Sequence, residues 1–182
     1  MDIVEIIPER IYSIRYDGQE YAEYYRLFNC EWTDVEYLMR FFESHTEFTE
    51  NEFWNFLDNN PETAAARVIE DANRLEPYLR ELAENSENGE TPDLEDYFEP
   101  LNGKYVYELK FIPMKGYGMS RPTFLRLYAL KFERNRYLIV YGGIKLNDSI
   151  QDSPVLSENV FKKIDQVRQF LKDEFIQNID DI

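Results

Sequence analysis

Alternation of apolar and polar residues predicts two short strands at the start of the chain, over residues 2–7 and 10–16. Pro8 separates the two runs, and Asp17-Gly18 forms a turn signal after the second. A period of two is what a strand with one buried face requires, because successive side chains point to opposite sides of a sheet.

The period then changes to that of helices. Thr33–Glu36 has the spacing of a capping box, and apolar residues then recur at i, i+3, i+4 and i+7 from Val35 to Phe42. A second capping-box pattern covers Thr49–Glu52. A long amphipathic helix is predicted from Glu62 to about Glu84, preceded by a capping Asn60 and a first-turn Pro61. Pro77 is expected to kink or divide this helix.

Three longer strands are predicted at 104–112, 123–133 and 137–146, with a hairpin turn at Arg134–Arg136. A terminal helix follows, with Val160, Ile164, Val167 and Leu171 on one face. This order predicts an α+β fold: an antiparallel sheet with a helical N-terminal elaboration and a C-terminal helix packed on the sheet. The polar stretch 85–92 divides a 1–92 strand pair and acidic helical region from a 93–182 sheet and helix, within one compact unit.

Charge is distributed unevenly over the 182 residues. The chain has 36 acidic and 20 basic residues and a net charge of −16, which excludes a uniformly basic nucleic-acid coat. Residues 1–100 hold 26 acids and 7 bases, whereas residues 103–145 hold 9 bases and 2 acids. Either the two halves have different tasks, or acidic helices and basic strands neutralise each other across an internal interface.

The sequence offers few candidates for a disulfide, metal, cofactor or phosphate site. Cys30 and His45 are the only residues of their kinds, so no disulfide, zinc cluster or cofactor motif is predicted. The 115–121 segment contains two glycines and two bases and could hold a phosphate, but a strand-connecting loop is the favoured interpretation. We find no leader or apolar span, and we expect a cytoplasmic protein that does not contact membranes.

Strand parity brings cations and aromatic rings to one face of the later strands. If the strands pair in sequence order, that face carries Lys110, Arg126, Tyr128, Tyr141 and Lys145. Cations for phosphates and rings for stacking are what single-stranded RNA requires. The alternative is a half-exposed sheet, or a sheet covered by the acidic helices.

Four short motifs resemble the RelE/HigB-like toxin superfamily, and its phage-related branch above all. They are Tyr107-Glu108-Leu109-Lys110, Leu125-Arg126-Leu127-Tyr128, Gly142-Gly143-Ile144-Lys145, and Pro154 before a helix. The resemblance covers about residues 101–176. It implies a metal-independent endoribonuclease that cuts messenger RNA on the ribosome and is neutralised by an antitoxin, often of helix-turn-helix type. Lys110 stands where the family has arginine, and Leu146 follows Lys145 where a second lysine is usual.

Cleavage of this type is attack of a ribose 2′-hydroxyl on the adjacent phosphate, which needs a base, a cation and an acid. We expect Arg126 to stabilise the phosphate, Lys145 or Lys110 to carry charge or a proton, and Glu108 to act as the base. Tyr128 or Tyr141 would stack on a nucleobase. The alternative function is a non-catalytic interaction module whose acidic helices bind a basic protein partner. An acidic nucleic-acid mimic is a third, less favoured hypothesis.

Overall fold

A computed structural model describes residues 1–45, 54, 60–101, 110–146, 156 and 159–182. These residues form an α+β fold around a six-stranded sheet, as the sequence predicted. The strands are β1 (Asp2–Ile7), β2 (Ile11–Arg15), β3 (Glu99–Pro100), β4 (Ile112–Tyr117), β5 (Leu125–Glu133) and β6 (Arg136–Ile144).

The strand order is β1-β2-β6-β5-β4-β3. Four neighbouring pairs are antiparallel, but β2 and β6 are parallel. The sheet is therefore mixed rather than wholly antiparallel. A parallel pair needs a long crossover connection, and the chain between β2 and β6 supplies one through its helices.

The helices lie on both faces of the sheet. They are α1 (Glu23–Tyr25), which continues into a π-helix (Arg26–Glu31), then α2 (Val35–Ser44), α3 (Pro61–Asn88), α4 (Leu94–Tyr97) and α5 (Val160–Asp173), with a final 3₁₀ turn at Ile179–Asp181. Asn60 caps α3 as predicted, because its side-chain oxygen accepts a hydrogen bond from Glu62 N at 2.8 Å. At α2 the cap is Asp34 instead of Thr33, with Tyr37 N as the donor at 2.8 Å.

The sheet separates two hydrophobic cores, one on each of its faces. The N-terminal core joins α1–α4 to one face and includes Trp32, Val68, Leu75 and Leu127. The C-terminal core joins α5 to the other face, where Val160, Ile164, Val167 and Leu171 pack with Tyr128, Leu130, Leu138 and Val140. The predicted apolar face of the last helix is confirmed, since all four of its residues are buried.

Helix α3 is longer than predicted, and Pro77 does not divide it. It runs without interruption through Pro77 to Asn88 and ends at Gly89, whose φ of 71° suits glycine. Leu75 and Leu79 on either side of Pro77 are fully buried, so tertiary packing holds the helix together across the proline. Residues 85–88, predicted as part of a linker, are its last turn.

Strand parity is changed by a bulge in β6. Tyr128 pairs with Tyr141 and Ala129 pairs with Ile139, so Val140 is the extra residue. As a result Tyr137 contacts the N-terminal core while Tyr141 packs against the C-terminal core, although an unbroken alternation would place both on one side of the sheet. The predicted 104–112 strand lies largely outside the described residues, and β4 begins at Ile112.

The second capping pattern, at Thr49–Glu52, also lies outside the described residues. Arg134–Arg136 is confirmed as a hairpin connection, because β5 ends at Glu133 and β6 begins at Arg136. Two glycines of β6, Gly142 and Gly143, lie where other side chains approach the backbone closely. A Cβ at Gly143 would lie 2.8 Å from Leu156 Cδ2, and one at Gly142 would overlap Leu27.

Candidate functional site

Arg126 occupies the start of β5, between Tyr117 of β4 and Gly143 of β6. Only 8% of the residue is exposed. Its Nη1 donates to the carbonyl oxygens of Thr123 at 3.0 Å and Leu125 at 2.7 Å. Among the described residues no carboxylate pairs with this guanidinium. A buried cation without an anion is costly, and here two carbonyl oxygens take the place of a carboxylate.

Tyr117 lies directly across from Arg126 and binds its guanidinium through the ring. The Arg126 Cζ is 4.5 Å from the ring centroid, and the Cζ of exposed Arg121 is 5.0 Å from the same centroid. Arg121 donates to the carbonyl oxygen of Gly118 at 3.3 Å and has no carboxylate partner among the described residues. Burial, opposed by nearby tyrosines and reinforced by the Arg121 cation, lowers the pKa of Arg126.

The loop that carries Arg121 is anchored by a buried acid of α3. Asp71 is 1% exposed. Its Oδ1 accepts from Ser120 N at 2.7 Å, and its Oδ2 accepts from the Thr123 hydroxyl. A Cβ at Gly118 would overlap Asp71 and Thr123, so the loop approaches α3 more closely than a side chain allows. Asp71 therefore holds the residues on both sides of Arg121, Ser120 and Thr123, against helix α3.

Tyr128 places an unpartnered hydroxyl on the same face as Arg126. The residue is fully buried, and its oxygen has no hydrogen-bond partner among the described residues. Burial raises the pKa of Tyr128, against the opposing effect of Arg126, so the phenol stays protonated at neutral pH. An unsatisfied buried hydroxyl costs about 1–3 kcal/mol. Because the residue is fully buried, Tyr128 does not stack on a nucleobase as the sequence predicted.

Tyr141 is the paired neighbour of Tyr128 and lies nearer to a second cation. The Arg26 Cζ is 6.0 Å from the Tyr141 ring centroid. Arg26, however, is held by Glu23 through two bonds of 2.9 Å and 2.5 Å and also contacts Glu31. Its charge is already neutralised, so Arg26 is unsuited to binding a phosphate.

The other predicted site residues are Lys145, Lys110 and Glu108, and they differ in where they lie relative to Arg126. Lys145 lies near Arg126, because its backbone N donates to Phe124 O at 2.7 Å at the same end of the sheet. Lys110 does not: it precedes Ile112, which pairs with Lys131, and the strand rise puts Ile112 about 16 Å from Tyr117. Glu108 lies outside the described residues.

The open sheet face predicted for these residues is not present. Tyr128 is fully buried in the core that α5 covers, and Arg126 is nearly buried as well. What remains accessible is the edge where exposed Arg121 and half-buried Tyr117 meet Arg126. Sequence reasoning missed both Arg121 and Tyr117 as site residues, although the 115–121 segment had been noted for its glycines and bases.

The sequence matches no protein-family model, and the chain has no significant match among curated proteins or solved structures. The part of the chain that the structure describes contains no group of three or more His, Cys, Asp or Glu side chains that could hold a metal ion. Within that part, no helix has both the length and the apolar character needed to cross a bilayer.

Proposed function

We propose that this chain is a toxin–antitoxin-type protein that acts on RNA as a metal-independent endoribonuclease, with Arg126 as its phosphate-binding group. The observation that carries the proposal is the nearly buried guanidinium of Arg126, which has carbonyl and aromatic partners but no carboxylate among the described residues. In a chain with 36 acids, such a cation is best explained by an anion that binds from outside.

The placement of negative charge is compatible with RNA. Helix α3 packs through Val68, Leu75 and Leu79 on the N-terminal core, whereas Tyr128 belongs to the C-terminal core on the opposite face. Helix α3 therefore packs on the opposite face from Tyr128, although its buried Asp71 reaches the loop that carries Arg121. Repulsion between exposed acids and RNA falls off over about 8 Å at physiological salt, so this separation matters.

In the proposed reaction the 2′-oxygen forms a bond to phosphorus and the bond to the 5′-oxygen breaks. Arg126 stabilises the negative charge of the phosphorane, which is most effective where water is excluded. Tyr128 is fully buried and does not reach the RNA, so water supplies the proton that the leaving 5′-oxygen takes up. A general base must take the 2′-proton; Glu108, the residue predicted for that role, lies outside the described residues. Lys145 adds positive charge near Arg126.

Strands β5 and β6 and then helix α5 carry or follow the later motifs of the toxin resemblance in chain order, while the Tyr107–Leu109 part of its first motif and Pro154 lie outside the described residues. The residues that this resemblance brought forward include Arg126, Tyr128 and Lys145, and they lie in one region of the sheet. An antitoxin partner that covers this region is part of the proposal.

Expression in a bacterial host tests the proposal directly. The chain should arrest growth and reduce intact messenger RNA, and R126A and K145A should each relieve both effects. R74Q, which changes an exposed arginine of α3, is the matched control and should remain toxic. Thermal unfolding of each purified variant shows whether loss of toxicity reflects loss of the fold. Full toxicity of well-folded R126A and K145A would contradict the proposal.

A non-catalytic interaction module is the second candidate, and the covering of the sheet face by α5 favours it. Exposed Glu81, Glu84 and Glu87 lie near the C-terminal end of α3, where acids oppose the helix dipole and do not stabilise the helix. They would suit a basic protein partner. Under this alternative E84Q/E87Q weakens binding of a lysine-rich peptide, while R126A leaves it unchanged.

A further inference from the structure

A groove lies at the opposite end of the molecule from the Arg126 site, between α5 and the start of β4. Its volume is about 670 Å³, within the range of small-molecule sites. The apolar walls are formed by Phe111, Leu171, Phe175 and Ile176. Since Ile112 pairs with Lys131 at this end and Tyr117 pairs with Arg126 at the other, the groove is separate from the proposed RNA site.

Three cations line the same groove: Lys110, Arg168 and Lys172. Among the described residues none of them makes an ion pair. Lys110 Nζ donates to Gln177 Oε1 at 3.2 Å, and Arg168 Nη2 donates to Phe111 O at 2.8 Å. The Nε of Arg168 is buried without a hydrogen-bond partner. In a chain of net charge −16, three such cations around one apolar cavity indicate a place for a ligand's negative charge.

The groove is also lined by one carboxylate, Asp173, whose Oδ1 accepts a hydrogen bond from Gln169 Nε2 at 2.7 Å. Asp173 forms no ion pair with the groove cations among the described residues, but its charge offsets one of the three. The lining keeps a net charge of +2 (three cations less one carboxylate), which favours an anion in the groove over a cation.

Two aromatic residues of the groove have an unusual backbone. Phe111 has a φ of 62° and Phe175 a φ of 57°, in the left-handed region that bulky residues rarely adopt. The Phe111 ring packs on Phe132 with centroids 4.8 Å apart, whereas Phe175 is 82% exposed beside the cavity. Strain of this kind concentrates at ligand-binding positions, and an exposed ring beside an apolar cavity offers surface to a ligand.

We propose that this groove binds an amphipathic monocarboxylate, an organic acid with an apolar tail such as a medium-chain fatty acid. The tail lies against Leu171, Phe175 and Ile176, and the carboxylate is bound by Arg168 and the two lysines. A neutral amphiphile would gain the apolar contacts alone and leave the cations unused. This inference does not depend on the proposed action on RNA.

Calorimetric titration of the full chain tests the ligand class with three probes of equal chain length. Decanoate is expected to bind about tenfold or more tightly than decanol, since only its carboxylate can form charge-assisted hydrogen bonds with the cations of the groove. Decyltrimethylammonium should not bind measurably. Binding of all three with equal affinity, or no decanoate binding at millimolar concentration, would overturn the inference.

Exposed residues of α5 and of the segment after it provide variants that leave the core intact. K172Q should weaken decanoate binding severalfold and leave decanol unchanged, while F175S should weaken both. K162Q and F161S alter exposed residues of α5 that do not line the groove, so neither should change binding. If K162Q weakens decanoate as much as K172Q does, the attraction is that of the general surface charge and the site is wrong.

Discussion

Arg126 and Tyr117 face each other across β4 and β5, with the guanidinium carbon 4.5 Å from the ring centroid. Arg121 contacts the same ring at 5.0 Å, so one half-buried tyrosine is bound to two guanidinium groups. Cation–π contacts contribute about 0.5–2 kcal/mol each and do not neutralise charge. The pair therefore holds Arg126 in place and keeps its charge available to an anion.

The unpartnered hydroxyl of Tyr128 leads to a stability prediction. Y128F removes a buried polar group that has no hydrogen bond, so the free energy of unfolding should rise by about 1 kcal/mol in urea denaturation.

Tyr16 supplies the matched control for that variant. Its hydroxyl is buried and donates to Val140 O at 2.6 Å. Y16F should therefore lower the free energy of unfolding by about 1 kcal/mol, opposite in sign to Y128F. Equal destabilisation by both variants would show that the Tyr128 hydroxyl is hydrogen-bonded in solution.

Asp71 should be essential to the loop that carries Arg121. D71A leaves Ser120 N and the Thr123 hydroxyl without their acceptor in a buried setting, which should lower the free energy of unfolding by about 3 kcal/mol. E70A changes the exposed neighbour and should have an effect within about 0.5 kcal/mol. A D71A protein with the stability of E70A would mean that the loop is held by other contacts.

Glu95 connects α4 to the β5–β6 hairpin and should make stability depend on acid pH. Burial acts to raise its pKa, but hydrogen bonds from Asn135 N, Lys131 and the Tyr137 hydroxyl outweigh it and lower the pKa below the ordinary value. The carboxylate therefore stabilises the fold above the ordinary carboxyl pKa of about 4.3, and that contribution is lost as pH falls through the lowered pKa.

Thermal unfolding measured from pH 7 to pH 3 checks this expectation. E95Q should be less stable than the unaltered chain at pH 7, and the difference should shrink as the pH falls. E81Q, at an exposed position of α3, should follow the unaltered chain throughout. A stability difference for E95Q that is the same at pH 7 and pH 3 would contradict the assignment.

Much of the fold follows from periodicity. Strands β1, β2, β5 and β6, helix α3 and the buried face of α5 were all predictable. Their apolar residues recur at spacings that are typical of one type of element. The bulge at Val140 was not, since an extra residue in a strand leaves no signal in the alternation before it. That one residue decides which core Tyr137 and Tyr141 join.

The site was only partly predictable for a similar reason. Arg126, Tyr128 and Lys145 could be found from strand parity, but the closeness of Arg126 to Tyr117 and Arg121 depends on the register between β4 and β5. Lys110 was misplaced because β4 begins only at Ile112, so the pairing carries Lys110 to the far end. The burial of Tyr128 by α5 could not be predicted. The amphipathic pattern of a helix shows that one of its faces is buried, but it does not show which face of the sheet the helix covers.

The most direct test of the central claim is the salt dependence of RNA binding, measured by fluorescence anisotropy with a single-stranded oligonucleotide. We expect R121Q to bind more weakly and to reduce the slope of log affinity against log salt by about 0.7, the value for one lost phosphate contact on a single strand. R74Q, on the acidic helix, should leave both unchanged. If the unaltered chain does not bind RNA at low salt, or if R121Q and R74Q have the same slope, Arg126 and Arg121 do not form a phosphate site.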